Sequence, residues 1–282
     1  MPMVDSSKAT QDPAAGAVAT RQLASLDGAI AAIEETFIPV ADEGFIRGDG
    51  VFEVVRVYDG RPFALGDHLD RLERSAANLR LDGDVPRAQL EREIPELLYA
   101  RGGAEFDGCL RIVLTRGGRR LLVTEPLPPM PERVRVAFVT CAPTRVLDAI
   151  KSLSYAANVL CTRIARERGF DEALMVTPHG RVLEAPTSSF FWVTPEGELC
   201  TPPLDDHILA SITRERVMRL VDVRERPAPI DDVLEAREAF LCSTTREVHP
   251  VAAIEGHELP TEPPITGAAA ALLRAHIEAE LH

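Results

Sequence analysis

The sequence predicts an α+β fold of two α/β domains in 282 residues. Three observations predict it. At 45% hydrophobic and 27% charged residues, the composition is that of an ordinary soluble chain. The length suits about two domains, each able to bury a core without disulfide or metal staples. Strand-like and helix-like runs are mixed without a strict β-α-β order, which favours antiparallel hairpins with helices over a doubly wound sheet.

The elements follow in order. Residues 1–24, rich in Ala, Ser, Thr and Gln without periodicity, read as a flexible extension. Val51–Tyr58 is a β-branched and aromatic run, and Asp59-Gly60 supplies a hairpin turn. Leu65–Leu81 has helical spacing, with Leu69, Leu72, Ala76 and Leu79 on one face. Residues 86–101 give a second helix that turns Leu90, Ile94, Leu97 and Leu98 inward. Cys109–Thr115 and Val134–Thr140 read as strands, with loops at 116–120 and 126–131 between them. Residues 142–150 read as a connector between a small domain, 25–141, and a larger one, 151–282. Tyr155–Arg168 is a helix closed by Gly169. Three short strands follow, at 173–177, 181–185 and 190–194. Ser211 caps a helix running to Val221, Ala239–Ser243 is a strand, and 266–281 is a terminal helix.

A net charge of -13 opposes nucleic acid and anionic membranes as partners. Cys109, Cys141, Cys161, Cys200 and Cys242 are widely spaced without a C-x-x-C pair, as expected for free thiols in a reducing compartment. The seven histidines form no H-E-x-x-H, so no metal site is expected. No apolar run approaches the ~18 residues of a membrane span. Asp5, Lys8 and Asp12 do not read as a signal peptide. A cytoplasmic protein is expected. All but two of the 31 basic residues are arginine, the exceptions being Lys8 and Lys151. Arginine replaces lysine in most ion pairs but not as an amine nucleophile.

Lys151 stands where the connector meets the second half. Glu184 ends the apolar run Arg181-Val182-Leu183-Glu184-Ala185-Pro186, where a carboxylate either reaches solvent or needs a partner. Ser211-Ile212-Thr213 opens a helix whose free N–H groups suit a phosphate. Ser243-Thr244-Thr245 is a hydroxyl-rich loop directly after a strand. Arg71, taken alone, reads as an exposed helix arginine. No G-x-x-x-x-G-K-S/T or G-x-G-x-x-G occurs, which excludes P-loop and Rossmann readings. A lysine, an acid for a pyridine nitrogen and a phosphate anchor are what a pyridoxal phosphate enzyme requires of its protein.

These segments resemble the class IV aminotransferases, the fold type IV pyridoxal phosphate enzymes, from about residue 26 to the C-terminus. The matching runs are Gly48–Tyr58, His68–Leu72, Lys151–Tyr155, Asp171–Leu174, Leu183–Phe190, Ile208–Arg214 and Cys242–Val248. The resemblance implies Lys151 as the Schiff-base lysine and the proton carrier of the 1,3-shift. It pairs Glu184 with the pyridine nitrogen. Arg71, Ile212, Thr213 and Thr244 would hold the phosphate, Leu209 the ring, and Tyr155 the phenolic oxygen. It further implies a cofactor bound between two domains, chiefly by 151–282, and a homodimer with shared active sites.

Within that family, Gly48–Tyr58 looks most like the D-amino acid aminotransferases. Branched-chain enzymes usually read Phe-Glu-Gly where this chain has Phe52-Glu53-Val54, and aminodeoxychorismate lyases typically place threonine at Val54. The D-specific enzymes often bind the substrate carboxylate with a tyrosine at the position of Phe52 and an Arg-x-His after Thr-Arg-Gly. Here Phe52 lacks the hydroxyl, and the loop runs Thr115-Arg116-Gly117-Gly118-Arg119-Arg120 without histidine. Arg47, Arg119 and Arg120 are therefore the candidate carboxylate holders, and Phe52 and Thr245 are further substrate-side residues. The expected reaction moves an amino group from a D-amino acid, and from (R)-primary amines as well, to a 2-keto acid by a ping-pong mechanism. The alternatives are a branched-chain L-amino acid aminotransferase, an aminodeoxychorismate lyase, and a binding protein that has lost the cofactor.

Overall fold

The computed structural model describes residues 21–281. The expected flexible extension lies, for residues 1–20, outside the described residues. Its last residues are ordered: β1 (Leu23–Leu26) and β2 (Ala29–Ala32) form a hairpin, with Leu23 and Ala24 buried. Asp27 and Gly28 both take positive φ there, at 53° and 94°, as a tight hairpin turn requires.

A short helix, α1 (Glu43–Arg47), precedes β3 (Gly50–Tyr58). The predicted Asp59-Gly60 turn leads into β4 (Arg61–Pro62). Helices α2 (Leu65–Asn78) and α3 (Arg87–Ala100) follow, then β5 (Gly108–Thr115) and β6 (Arg120–Glu125). The six strands form one antiparallel sheet in the order β2-β1-β6-β5-β3-β4. The predicted helix faces hold: Leu69, Leu72, Leu90, Ile94 and Leu97 pack on Val51, Val55, Leu110, Ile112 and Leu122. Strand alternation therefore turns Glu53 toward the helices, and Phe52 and Val54 toward the opposite face.

After β6 the chain leaves this sheet. Strand β7 (Val134–Thr140), grouped by sequence with the first half, runs parallel to β8 (Glu172–Val176) and β15 (Glu247–Ile254) in a second sheet. The small unit thus gives up its chain before residue 134, not at 141. The reason is that β7 is buried between two neighbours contributed by the second half. The 142–150 connector then returns the chain to the first sheet, where Val51 bridges Ser152.

Beyond it come α4 (Ala156–Glu167), closed by Gly169 at φ 84°, then β8, β9 (Arg181–Val182), β10 (Ser189–Val193) and β11 (Leu199–Thr201). They are followed by α5 (Ile212–Leu220), β12 (Arg224–Glu225), β13 (Ala228–Pro229) and α6 (Ile230–Leu234). The chain ends with β14 (Glu238–Ser243), β15, β16 (His257–Glu258) and α7 (Pro264–Leu281). The second sheet runs β12-β11-β10-β14-β15-β7-β8-β9-β13, with β16 on β15. Its aromatic centre alternates sides. Phe190 stacks on Trp192 at 5.9 Å on one face, and Phe191 on Phe240 at 4.7 Å on the other, under α5 and α7.

Candidate active site

The site begins where the connector meets β3. The carbonyl of Lys151 accepts from the Phe52 N–H at 3.0 Å, and the Leu153 N–H donates to the Gly50 carbonyl at 2.9 Å. The Lys151 N–H donates to Ser75 Oγ of α2 at 3.1 Å. This close approach depends on glycine: a Cβ at Gly50 would stand 2.5 Å from the Leu114 carbonyl oxygen and 2.7 Å from Leu153 Cδ1. The backbone of Lys151 is thus pinned by both a strand and a helix. Its Nζ lies 4.5 Å from the centroid of the Phe52 ring. Burial, joined by the charge of Arg71, pushes the Lys151 amine down to about 8 against the pull of Glu53 and Glu184.

Glu184 follows β9, still paired with β8 through its carbonyl, which accepts from the Met175 N–H at 2.9 Å. Its Oε1 accepts from the Leu209 N–H at 3.0 Å. Burial raises Glu184 to about 7, although that N–H and the charge of Lys151 oppose the shift. The solvated strand-end reading of Glu184 is therefore replaced by a carboxyl held inside a cavity.

Arg71 is not an exposed helix residue. It is buried on α2, and its Nε and Nη2 donate to Glu53 Oε1 and Oε2, both at 2.7 Å. His68 Nδ1 lies 2.8 Å from the same carboxylate. Burial alone would raise Glu53, but the charge and hydrogen bonds of Arg71, with His68, hold it down to about 2. Arg71 Nη1 then donates to the Ala210 carbonyl at 3.1 Å, which carries the contact across to the second unit. Directly beyond, Ser211 caps α5 as predicted, its Oγ accepting from the Arg214 N–H at 3.3 Å. The N–H groups of Ile212 and Thr213 donate to no partner among the described residues. Arg71, Lys151, Glu184, Leu209, Ser211 and Thr244 line one cavity of about 220 Å³. Ser243, on the same wall, has a buried hydroxyl without a partner.

Tyr155 also lines the cavity, and its hydroxyl donates to the Pro186 carbonyl at 2.5 Å. Burial raises its pKa, so the phenol keeps its proton. Phe52 is buried, edge-on to Tyr155 at 5.4 Å. Thr245 sits half-buried in the turn after β14, off the cavity wall. The candidate arginines are not brought to the cavity of their own chain. Arg47 is 72% exposed and pairs with Glu43, and Arg119 pairs with Asp27 at 2.8 Å. Arg120 is a correction. It lies opposite Leu114 on the helix-covered face, and both donor groups of one edge are taken by Glu93 of α3. Sequence reading passed over Glu53, His68 and Arg111. The signal for the first two was present: strand alternation turns Glu53 inward, where it needs a counter-charge, and α2 offers His68 and Arg71 one turn apart.

The family model for amino-transferase class IV matches residues 50–254. The chain belongs to the class IV aminotransferase family. It is 33% identical over 254 residues to a putative branched-chain-amino-acid aminotransferase of Methanocaldococcus jannaschii, covering 82% of this chain and 87% of that protein. It is also 33% identical over 246 residues to a D-alanine aminotransferase of Bacillus licheniformis, covering 80% of this chain and 86% of that protein. Among solved structures, a hypothetical aminotransferase from Mycobacterium tuberculosis in its PLP-bound form superposes with a TM-score of 0.82 at 26% identity. That match covers 92% of this chain and 99% of the other.

Class IV aminotransferases use pyridoxal phosphate. The donors around this cavity fit that group. A buried guanidinium, two unpaired helix N–H groups and the unpaired Ser243 hydroxyl suit a phosphate, while Glu184, with a single N–H partner, suits a protonated ring nitrogen. When bound, the cofactor supplies an electron-accepting ring that lets a proton leave the substrate carbon.

Because burial favours the neutral amine, Lys151 should lose its proton well below the ordinary lysine value. In cofactor-free protein, modification of Lys151 by trinitrobenzenesulfonate, resolved from Lys8 by peptide mapping, is expected to reach half its plateau near pH 8. A midpoint near 10.5 would contradict the assignment. Glu53→Gln leaves the Arg71 charge buried without a counter-ion, at an expected cost of about 3–5 kcal/mol in urea unfolding at pH 7. The folded-state pKa of Glu53 is depressed, so its contribution is present above about 4.5 and lost as pH falls toward about 2. The variant's stability should flatten across that acid window.

Proposed function

We propose that the protein is a D-amino acid transaminase that passes the amino group to a 2-keto acid by a ping-pong mechanism. The observation that carries this reading is Phe52-Glu53-Val54 on β3. Val54 puts two methyl groups on the Phe52 face, where the glycine usual in branched-chain enzymes would leave room. It also offers no hydroxyl of the kind that the lyase position supplies. Similarity to the Bacillus licheniformis D-alanine aminotransferase supports the same hand.

In this reading Lys151 takes and returns the proton of the substrate carbon, which an amine with a depressed pKa suits near neutral pH. Glu184 would hold the proton at the ring nitrogen, and its own elevated pKa falls once a cation stands beside it. Arg71, Ile212, Thr213 and Thr244 would bind the phosphate, Leu209 would pack on the ring, and Tyr155 would face the phenolic oxygen. We also infer a homodimer. Phe37, Val40, Phe45 and Ile46 expose apolar side chains around α1, and pairing there would carry Arg47 toward a neighbouring cavity. Free cysteines support a cytoplasmic location, and no helix among the described residues is long and apolar enough to cross a membrane.

Presented separately to the holoenzyme, D-alanine, L-leucine and (R)-1-phenylethylamine distinguish the readings through loss of the cofactor's absorbance. Rapid loss with D-alanine is expected. Loss with L-leucine alone overturns the D-specific reading, and pyruvate release from aminodeoxychorismate without an amino acceptor assigns the lyase instead. Sedimentation equilibrium should give twice the chain mass of 30.8 kDa. Charged substitutions at Phe45 and Ile46 should shift it to monomer with loss of activity, and a parent that sediments as a monomer refutes the shared site.

A further inference from the structure

The carboxylate holder sought among Arg47, Arg119 and Arg120 has a better-placed counterpart on β5. Arg111 lies opposite Val54, on the sheet face away from α2 and α3. Its guanidinium carbon is 5.6 Å from the centroid of the Phe52 ring, the same ring that carries Lys151 Nζ at 4.5 Å. Its charge reaches both Lys151 and Tyr155.

The orientation of the guanidinium is fixed from one side only. Arg111 Nε and Nη2 donate to Glu125 Oε1 and Oε2 at 2.7 and 2.9 Å. Nη1 donates to no acceptor among the described residues, so the Nη1–Nη2 edge can receive a second carboxylate. Three other arginines near the cavity already have acceptors: Arg71 has Glu53 and Ala210, Arg214 has Pro202 and Glu225, and Arg246 has Glu172.

We propose that Arg111 grips the α-carboxylate of the substrate through its Nη1–Nη2 edge, with Glu125 on the adjacent edge as the positioning residue. The inference rests on the reading of this protein as an amino acid transaminase. An amino acid bonded near Lys151 has its carboxylate two bonds from the amino nitrogen, and a guanidinium across the Phe52 ring is within reach of that group. Glu125 is about one-third exposed, so water tempers its repulsion of an incoming carboxylate. A forked donor pair then supplies both charge and direction, as lysine would not.

The test compares an amino acid with an amine that lacks the carboxylate. In the holoenzyme, Arg111→Gln should raise the KM for D-alanine about 100-fold, as expected for losing charged hydrogen bonds. The KM for (R)-1-phenylethylamine should stay unchanged. Glu125→Gln should raise the D-alanine KM about 10-fold with kcat nearly constant, because the cation remains but is less well aimed. An independent readout avoids turnover: in cofactor-free protein, propanoate should slow trinitrobenzenesulfonate modification of Lys151, and Arg111→Gln should remove that protection. Unchanged D-alanine KM, or protection by propanoate that survives the substitution, overturns the assignment. A parent enzyme that reacts only with L-amino acids refutes the D-specific reading alone, and Arg111 is then judged by the same ratio on the L-amino acid.

Discussion

A single buried carboxylate organises the site. Glu53 has no access to solvent and is bonded by Arg71 and His68. An ionised carboxylate in that position is tolerable only with a full set of partners. Those partners come from α2, so the pair fixes the helix against β3 at one register. Arg71 has a further donor, which it directs to the Ala210 carbonyl, one residue before the cap of α5. The burial cost of Glu53 is thereby turned into a positive charge held at the junction of the two sheets.

From that charge the rest of the cavity follows. Arg71 and burial together depress Lys151, while burial raises Glu184, so the two groups move toward each other in pKa, to about 8 and about 7. Neither shift needs a dedicated device. Burial of an amine and a carboxyl in one small volume is the larger cause of both, and the charge of Arg71 adds to it at Lys151 while opposing it at Glu184. The arrangement leaves an amine and a carboxyl that both exchange a proton near neutral pH.

Local patterns in the sequence were enough to place the α2, α3, α4 and α5 helices, the β3 turn and the Ser211 cap, because each depends on residues a few positions apart. Lys151, Glu184 and Arg71, which the family resemblance singles out, line one cavity. What was not legible depends on distant partners. Strand β15 begins at Glu247 with φ 54° and contains Pro250, so it shows little strand signal, yet it pairs with both β14 and β7. That pairing also takes β7 from the first sheet, which no property of Val134–Thr140 itself announces. Arg120 failed as a site residue for a similar reason: its strand had not been recognised, so its face could not be assigned, and Glu93 lies 27 positions away.

The two faces of β3 divide stability from selectivity. Inward-facing Val51, Glu53 and Val55 meet α2 and α3, where any change in volume or charge is felt by the core. Outward-facing Phe52 and Val54 meet Arg111, and the Phe52 ring also meets Lys151 and Tyr155. Alternation makes these two sets independent along one strand. Substitutions at 52 and 54, and at their neighbour 111, can therefore be made without disturbing the Glu53–Arg71 pair on the opposite face. On the proposed reading, the guanidinium of Arg111 on β5 supplies the hydrogen-bonding group that Phe52 on β3 lacks.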